Sequence, residues 1–420
     1  MRFKLALLHW LQAEGRNFDL RRRPRVAQPR KKPIPRADSD AGRSGRPRAS
    51  ALGKASFFYT IIYIALAVFS YGFIDPNFPY KAPRALHRLI YYQRPLTTII
   101  YIIVVGGLFC LYGWVLKGVK RRKLNSKKIW KLVFLSVVVL FFAFPAFSYD
   151  IFNYIATAKV AFFYRENPYL VMPIEFVGEP MLEFMHAANK ITLYGPFWIL
   201  LTGLPHSLIN NLFLNVFSFK ALVVAFYLGL SYLIWRLSKK SAFSLAFFAL
   251  NPLVVLETLV SSHNDVVMMF FALLGLYLLI QGKRPLSFLS LLASIGIKYA
   301  TLALVPIFFL SSRLKKEQIT ILSFWALFLV FCLAPFREEI YPWYVIWLIS
   351  FAALVPERRF IFWLTIALSL GTLGRYLPFL YTRSWEGMTP MVKWWVTVLP
   401  PVIVALAFFK ANFSREVSKR

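Results

Sequence analysis

Residues 97–117 read TTIIYIIVVGGLFCLYGWVLK, an apolar run whose only charge is its last residue. About 20 such residues form a helix that crosses a bilayer, and lipid leaves few alternatives because backbone polar groups must be satisfied within the segment. The whole chain is 58% apolar with a mean hydropathy of +0.57. We therefore predict an all-α, polytopic membrane protein with about 12 transmembrane helices. The predicted spans are 56–74, 97–117, 129–147, 213–236, 242–260, 265–281, 285–296, 298–311, 318–334, 342–355, 359–380 and 391–410.

Positive charge is distributed unevenly along this chain, which has 50 Lys and Arg against 18 Asp and Glu, a net charge of +32. In a soluble protein this excess would suggest nucleic acid as a partner. Here most of the basic residues fall in segments that the span order places on one side of the membrane. This positive-inside pattern predicts cytoplasmic termini, a lipid bilayer as partner and no nucleic acid. We divide the chain into a disordered basic cytoplasmic tail (1–55), a transmembrane domain (56–410) and a cytoplasmic C-terminal tail (411–420).

The apolar stretch 195–209 does not fit a simple crossing. The span before it must end outside and the span after it must end inside, so the stretch itself cannot cross fully. It contains Gly195, Pro196, Gly203 and Pro205, which predicts a re-entrant or interfacial helix on the outer face. Irregular backbone survives at that depth only where protein or a water-filled cavity lines it. The stretch therefore indicates a nearby site.

Asp150 lies where the third long apolar run meets water. A carboxylate at a membrane boundary is costly, so its presence suggests a function. Asp150, Asn153, Tyr154 and Thr157 follow one another at helical spacing and form one polar face. The pattern predicts the rim of an active site on the outer side of the membrane.

A second polar group follows further along the chain: Glu257, Ser261, His263, Asn264 and Asp265. On a continuing helix all but the histidine share one face, so they could border the same pocket as Asp150. The alternative is that Asn264 or Asp265 only caps the helix that starts at Val266. Capping alone does not account for a histidine and a glutamate beside the cap.

Lys298 is the third candidate. The stretch 285–311 is too long for one span, and two short helices meeting near Gly296 resolve this and place Lys298 at their outer end. An ammonium there can hold a phosphate as a point charge. The alternative is a snorkelling lysine without a ligand.

Aromatic residues form the fourth group, with Tyr194 in one segment and Tyr341 and Trp343 in another. Such rings suit the faces of sugars, although aromatic residues at an interface also form the ordinary belt. Cys110 and Cys332 lie within apolar runs without metal-ligand spacing, and no phosphate-binding glycine loop or His-Glu-x-x-His motif occurs. We predict no metal and no cofactor.

Together these groups supply a carboxylate base, a cation for phosphate and an aromatic rim, which is the set that sugar transfer from a lipid phosphate needs. The leaving group departs as a phosphate anion, so a second carboxylate acting as an acid is not required, in contrast to glycosidases. The alternative is a transporter or a lipid-linked glycan flippase. Such a protein would line a central channel with charge at mid-depth, whereas most acids here lie at one face.

Several motifs also carry a resemblance to a known family. They occur in this order: Ser148-Tyr149-Asp150-Ile151-Phe152-Asn153-Tyr154, Glu166-Asn167-Pro168-Tyr169, Tyr194-Gly195-Pro196, His263-Asn264-Asp265-Val266-Val267-Met268 and Pro342-Trp343-Tyr344. Over about residues 56–410 the chain resembles the GT-C superfamily of integral-membrane glycosyltransferases. It is most similar to the bacterial polyprenyl-phosphomannose-dependent α-mannosyltransferases and their relatives.

The resemblance implies a multi-span fold in a bacterial or archaeal plasma membrane and an inverting, metal-independent reaction. It implies a polyprenyl-phosphate sugar as donor, with mannose the commonest sugar, and a glycan or glycolipid as acceptor. Asp150 matches the catalytic aspartate and Lys298 the lysine that binds the donor phosphate. Many relatives carry a second acid beside the aspartate, where this chain has Ser148 and Tyr149. The residues predicted to bind donor or acceptor are Asn153, Tyr154, Asn167, Tyr194, Glu257, His263, Asn264, Asp265, Lys298, Tyr341 and Trp343.

Overall fold

A computed structural model describes residues 51–183, 185–209, 211–336 and 339–417. Within these ranges the chain is helical and contains no β-strand, which confirms the predicted all-α class. The helices are α1 (Ala51–Ser70), α2 (Arg84–Tyr92), α3 (Arg94–Lys120), α4 (Ser126–Leu140), α5 (Asp150–Ala158), α6 (Pro196–Leu208), α7 (Leu212–Leu237), α8 (Ala242–Ala249), α9 (Pro252–Val260), α10 (Asp265–Ile280), α11 (Arg284–Ile295), α12 (Val305–Phe309), α13 (Lys316–Leu333), α14 (Val345–Ala352), α15 (Arg359–Gly374), α16 (Tyr376–Thr382) and α17 (Thr389–Val417).

Several helices begin at a polar side chain that the sequence supplies at the right place. The side chains of Asn125, Asn211, Ser241 and Asn251 accept hydrogen bonds from backbone N–H groups in the first turns of α4, α7, α8 and α9. These N–H groups have no partner within their own helix, and a side-chain cap of this kind contributes about 1 kcal/mol. The caps therefore set where these helices start.

By length and composition, six helical segments of the described chain are able to cross a membrane. They are Ala51–Phe73, Arg94–Lys120, Leu212–Leu237, Lys316–Phe336, Arg359–Thr382 and Thr389–Asn412. The pair α8 and α9 makes a seventh if its 51° bend is counted within one span. Other apolar helices are short because breaks interrupt them, among them the Gly296 break after α11. The larger count of about twelve stays a prediction.

The surface and the interior of the described chain are both apolar. Large side chains such as Phe57, Ile103 and Leu406 are exposed, as expected where a helix faces lipid rather than water. In the centre, every residue from 244 to 269 is buried. The protein is a multi-pass membrane protein, and this buried segment contains the polar group from Glu257 to Asp265.

The predicted boundaries of the transmembrane domain differ from the helices at both ends. The predicted N-terminal tail lies outside the described residues except for 51–55, and those five already belong to α1. At the other end α17 continues to Val417, seven residues beyond the predicted span. The apolar character of both helices fades into basic sequence gradually, so composition does not mark their ends.

The stretch 195–209 forms the short helix α6, which is roughly 20 Å long at 1.5 Å per residue. That is less than the roughly 30 Å hydrocarbon core, as a re-entrant or interfacial helix requires. Its start is fixed by main-chain contacts to the break after α11. The N–H of Gly195 donates to the carbonyl of Ile297 (3.0 Å), and the N–H of Phe197 donates to the carbonyl of Gly296 (2.8 Å).

Gly195 has no room for a side chain at this contact. A Cβ atom there would meet the backbone carbonyl of Gly296 far inside van der Waals distance. We expect Gly195→Ala to cost about 1–3 kcal/mol of stability, because a backbone neighbour cannot move aside as a flexible side chain can. In detergent the thermal unfolding midpoint should fall by about 1–4 °C.

Gly113→Ala is the matched control, because a Cβ atom at Gly113 meets nothing within 4 Å. Its unfolding midpoint should stay at or slightly above the wild-type value, since alanine favours helix over glycine. Equal midpoints in the two variants would contradict the close backbone packing.

Candidate active site

Asp150 is the first residue of α5, and its side chain is 24% exposed. Its backbone N–H donates to the hydroxyl of Ser148 at 3.2 Å. The free N–H groups at the start of a helix favour a negative charge, so the position supports an ionised carboxylate. The predicted polar face is formed by α5, although Tyr154 and Thr157 on it are buried.

His263 lies between two carboxylates. Its Nδ1 atom is 3.4 Å from Oδ2 of Asp150 and its Nε2 atom is 3.3 Å from Oε2 of Glu257. Neither contact counts as a hydrogen bond, and both lie within ion-pair distance. The side chains of His263 and Glu257 are completely buried. The arrangement links the partly exposed acid Asp150 to a buried acid through one imidazole ring.

The protonation states follow from these neighbours. Burial opposes the charged form of His263, but the carboxylates of Asp150 and Glu257 outweigh it and raise the pKa of the imidazole above its usual value of 6.5. Burial would raise the pKa of Asp150, but the contact and charge of His263 together with the charge of Lys298 hold that pKa below its usual value. These shifts favour an ionised Asp150 carboxylate beside a protonated His263 imidazolium.

Other side chains hold this pair in place. The hydroxyl of Tyr376 donates to Oε1 of Glu257 at 3.0 Å. The ring of Trp343 stacks on His263 with centroids 3.7 Å apart, and Tyr341 stacks on Trp343 at 4.5 Å. A cationic imidazole on an indole face is a favourable contact, particularly where water is excluded. Two of the predicted aromatic residues thus pack on the histidine in series.

Lys298 and Asp265 form a second charged pair. The Nζ atom of Lys298 is 2.6 Å from Oδ2 of Asp265, and Nε1 of Trp347 donates to Oδ1 of the same carboxylate at 2.6 Å. Asp265 is completely buried, whereas the lysine side chain is 17% exposed. Lys298 follows the predicted break at Gly296, which the structure confirms. Its head group is fixed by a partner, unlike a lysine that only snorkels toward water.

The turn between α9 and α10 differs from the expected continuous helix. A π-helical segment runs over Val255–Val260, the chain then turns through Ser262 at φ +63°, and α10 begins at Asp265. The left-handed conformation of a serine ends the helix, so the predicted single face does not exist. The capping alternative also fails in its simple form, because Asn264 makes no side-chain cap and Asp265 faces Lys298.

Several polar atoms around this turn are buried without a hydrogen-bond partner in the described part of the chain. They belong to Asn153 (Oδ1), Ser261 (Oγ), Ser262 (Oγ) and Asn264 (Oδ1 and Nδ2). Buried polar groups are nearly always hydrogen-bonded in folded proteins, so a cluster of unpaired polar atoms suggests that a polar ligand forms hydrogen bonds with them. The hydroxyl groups of a sugar have the matching chemistry.

The remaining predicted residues lie around this cluster at differing distances. The hydroxyl of Tyr154 accepts from the N–H of Asn264 at 3.3 Å, and its ring packs edge-on against Tyr194. Asn167 lies in an exposed turn, where its side chain accepts from the N–H of Tyr169. The hydroxyl of Tyr169 then donates to the carbonyl of Tyr194. Asn167 therefore shapes the loop beneath Tyr194, and its role in binding stays a prediction.

Sequence reasoning missed two residues of this region. Tyr376 lies in an apolar helical segment where an aromatic residue gives no special signal. Lys220 is different because it is a lysine in the middle of the span α7. An ionisable residue within a membrane span is a functional candidate by default, so this signal was present in the sequence.

The raised pKa of His263 predicts that the stability of the protein depends on pH. Because its pKa is raised on folding, the ion pairs stabilise the protein fully below pH 6.5, and this contribution is lost as the pH rises through the higher folded pKa. In detergent the unfolding midpoint of the wild type should fall over this alkaline range. His263→Gln should remove most of that fall, whatever its effect on the midpoint at low pH.

His87→Gln serves as the control, since this histidine lies in the separate helix α2 and stacks on Tyr91. Its midpoint should follow the wild-type pH dependence. If His263→Gln retained the full alkaline fall, another group would be responsible and the proposed charge state of His263 would be wrong.

Comparison with known proteins identifies the family of the chain. Searches of curated proteins and of solved structures found no match. The family model described as alpha-(1->6)-mannopyranosyltransferase, N-terminal domain, matches residues 57–312. The matched region includes Asp150, Glu257, His263 and Lys298, and a transferase family favours an enzyme over the transporter or flippase alternative. The chain therefore belongs to the MptA/B family of α-mannosyltransferases and is a hexosyltransferase of the GT-C type.

Proposed function

We propose that the protein transfers a mannosyl group from a polyprenyl-phosphate mannose to a glycan or glycolipid acceptor, with inversion and without a metal. The observation that carries this proposal is the pairing of the ionised, partly exposed Asp150 with a protonated His263 in a buried surrounding. From the family description we further propose that the acceptor hydroxyl is the 6-hydroxyl of a mannose. By the distribution of basic residues, we place the site on the outer face and both termini in the cytoplasm.

The proposed reaction is a single displacement. The carboxylate of Asp150 takes the proton of the acceptor hydroxyl while the oxygen of that hydroxyl forms a bond to C1 of the mannosyl group. The bond from C1 to the phosphate oxygen breaks, and its electron pair leaves with polyprenyl phosphate. Attack opposite the leaving group inverts the configuration at C1. Base catalysis of this kind contributes typically about 10²- to 10⁴-fold to a rate.

The second carboxylate of this site, Glu257, acts on Asp150 only through His263. Glu257 contacts the far side of His263, so it does not approach the partly exposed carboxylate of Asp150 as a neighbouring acid would. It shares the positive charge of the imidazolium, and Asp150 is thereby left with enough basicity to accept a proton. A lower pKa keeps Asp150 ionised but makes it a weaker base. Glu257 limits how far His263 lowers that pKa.

A lipid-linked donor is supported by an apolar cavity of about 710 Å³ at the break after α11. Its walls come from α6, α10 and α11, and it ends at Gly296, two residues before the lysine. The lining side chains are apolar almost throughout, which suits a prenyl chain. In this arrangement the chain lies in the cavity, the phosphate contacts Lys298 and the sugar points toward Asp150. The lining residues include Phe197, Leu200, Phe271, Leu274, Leu289 and Leu292.

A donor assay tests the proposal. Purified protein in nanodiscs is incubated with an α-mannoside acceptor and one of three radiolabelled donors: a long-chain polyprenyl-phosphate mannose, its short-chain analogue, or a nucleotide-diphosphate mannose. We expect transfer from the two lipid donors, with a lower KM for the long chain because it fills the cavity. Transfer from the nucleotide donor alone would overturn the donor assignment. Loss of transfer in a metal chelator would overturn metal independence.

A further inference from the structure

Lys220 is a completely buried lysine in the span α7. No carboxylate of the described chain lies within ion-pair distance of its ammonium group, whereas the other buried or half-buried charges of the site have one. An ammonium group in a membrane interior is costly, so this lysine needs partners of another kind.

The partners of Lys220 are four main-chain carbonyl oxygens, which share the three N–H groups of its ammonium. Its Nζ atom donates to Leu140 at 3.3 Å and to Ala143 at 2.6 Å, at the end of α4. It also donates to Leu259 at 2.8 Å and to Val260 at 3.3 Å, at the end of α9. The last carbonyls of a helix have no partner within it and carry partial negative charge, so a cation is favourable there. One ammonium group therefore joins the ends of two helices.

These two helix ends lead directly to the charged pair of the active site. From Ala143 the chain runs seven residues to Asp150, and from Val260 it runs three residues to His263. Between them lie buried, closely packed residues such as Phe144 and Ser261. A displacement of either helix end is passed on to the distance between Asp150 and His263.

We infer that Lys220 is a positioning residue, whose ammonium group holds Asp150 and His263 at the separation that transfer requires. The inference rests on the proposed role of Asp150 as base. Lys220 contacts neither donor nor acceptor in this account and acts only through the two segments that it joins. A misplacement of about 1 Å between reacting groups costs up to about a hundredfold in rate.

Lys220→Met removes the charge and keeps the length of the side chain. We expect kcat to fall by about a hundredfold with little change in the KM for the lipid donor. The acid limb of the pH–rate profile should move to higher pH, because Asp150 loses part of its contact with His263 while Lys298 still acts on it. Hydrogen–deuterium exchange should rise in both segments, 141–150 and 259–264.

A second measurement separates positioning from general loss of packing. If Lys220 acts through the pair, Lys220→Met should add little to the effect of His263→Gln, so the two substitutions should be strongly non-additive. Ser231→Ala is the control, since Ser231 is a buried polar residue of the same helix without a hydrogen-bond partner in the described chain. Its turnover, pH profile and exchange should match the wild type.

If Lys220→Met is not recovered from membranes, Lys220→Gln takes its place in the same measurements. This variant keeps hydrogen-bond donors without the charge. Wild-type turnover, or reduced turnover with an unchanged acid limb and additive effects, would overturn the inference. Exchange in the two segments does not depend on transfer. It therefore tests Lys220 even if Asp150→Asn proves to be active and the proposed base is wrong.

Discussion

Asp150→Asn should lower kcat/KM for mannosyl transfer by about a thousandfold, the largest effect expected of any single substitution in this protein. The amide keeps the size of the carboxylate but cannot take the proton of the acceptor hydroxyl, and base catalysis contributes about 10²- to 10⁴-fold. The change is measured as steady-state transfer from radiolabelled polyprenyl-phosphate mannose at saturating acceptor. The protein should still insert and fold, because Asp150 is partly exposed and an amide can face His263.

Glu183→Gln is the matched control for this substitution. Glu183 is an exposed acid between α5 and α6. Within the described chain, no hydrogen bond or ion pair joins its side chain to Asp150 or His263. The control should transfer at the wild-type rate. If the two variants lost activity equally, loss of surface charge rather than loss of a base would explain the result.

Lys298→Met should weaken donor binding by about 30- to 150-fold. A hydrogen bond between two charged groups contributes about 2–3 kcal/mol, which corresponds to that loss of affinity. The expected change lies in the KM and Kd for the lipid donor more than in kcat. The measurement is binding of radiolabelled polyprenyl-phosphate mannose to protein in nanodiscs, with inorganic phosphate as a competitor.

The partner of Lys298 complicates this substitution and also supplies its control. Lys298→Met alone leaves the buried carboxylate of Asp265 without its cation, which costs several kcal/mol of stability. Asp265→Asn combined with Lys298→Met removes both charges, so the double variant should recover stability but not donor affinity. Asp265→Asn alone should keep donor affinity. Recovery of affinity in the double variant would show that Lys298 is a structural residue and does not bind the donor phosphate.

Local features of the site were accessible from the sequence because each depends on a short segment. The polar spacing from Asp150 to Thr157 predicts α5, which begins at the aspartate. The length of the apolar stretch 285–311 predicts the break that places Lys298 at a helix end. In both cases the signal is a periodicity or a length, and neighbouring segments do not change it.

Features that depend on tertiary packing were not accessible in this way. The sequence suggested that Glu257 borders the same pocket as Asp150, but not that His263 stands between them or that Tyr376 donates to the glutamate. The left-handed turn at Ser262 ends the expected helical face, and serine carries no strong preference for that conformation. The number of membrane crossings is also uncertain from composition, since short buried helices are as apolar as spans.

The absence of an acid directly before Asp150 gains a physical interpretation from the structure. Ser148 and Tyr149 precede it, and the hydroxyl of Ser148 accepts from the N–H of Asp150. Glu257 is the acid that completes the group, although it is more than a hundred residues away in the sequence and reaches Asp150 only through His263. The charge balance of the site is thus built across the fold rather than within one motif.

The most direct test of the central claim is a single-turnover experiment on the wild type and Asp150→Asn. Protein in nanodiscs is first loaded with radiolabelled polyprenyl-phosphate mannose, the bound label is measured, and an α-mannoside acceptor is then added. The account predicts that both proteins bind the donor with Kd values within about twofold, and that only the wild type passes the label rapidly to the acceptor, about a thousandfold faster than the variant. Transfer by Asp150→Asn at the wild-type rate, or a loss of donor binding large enough to explain its inactivity, would contradict the assignment of Asp150 as the base.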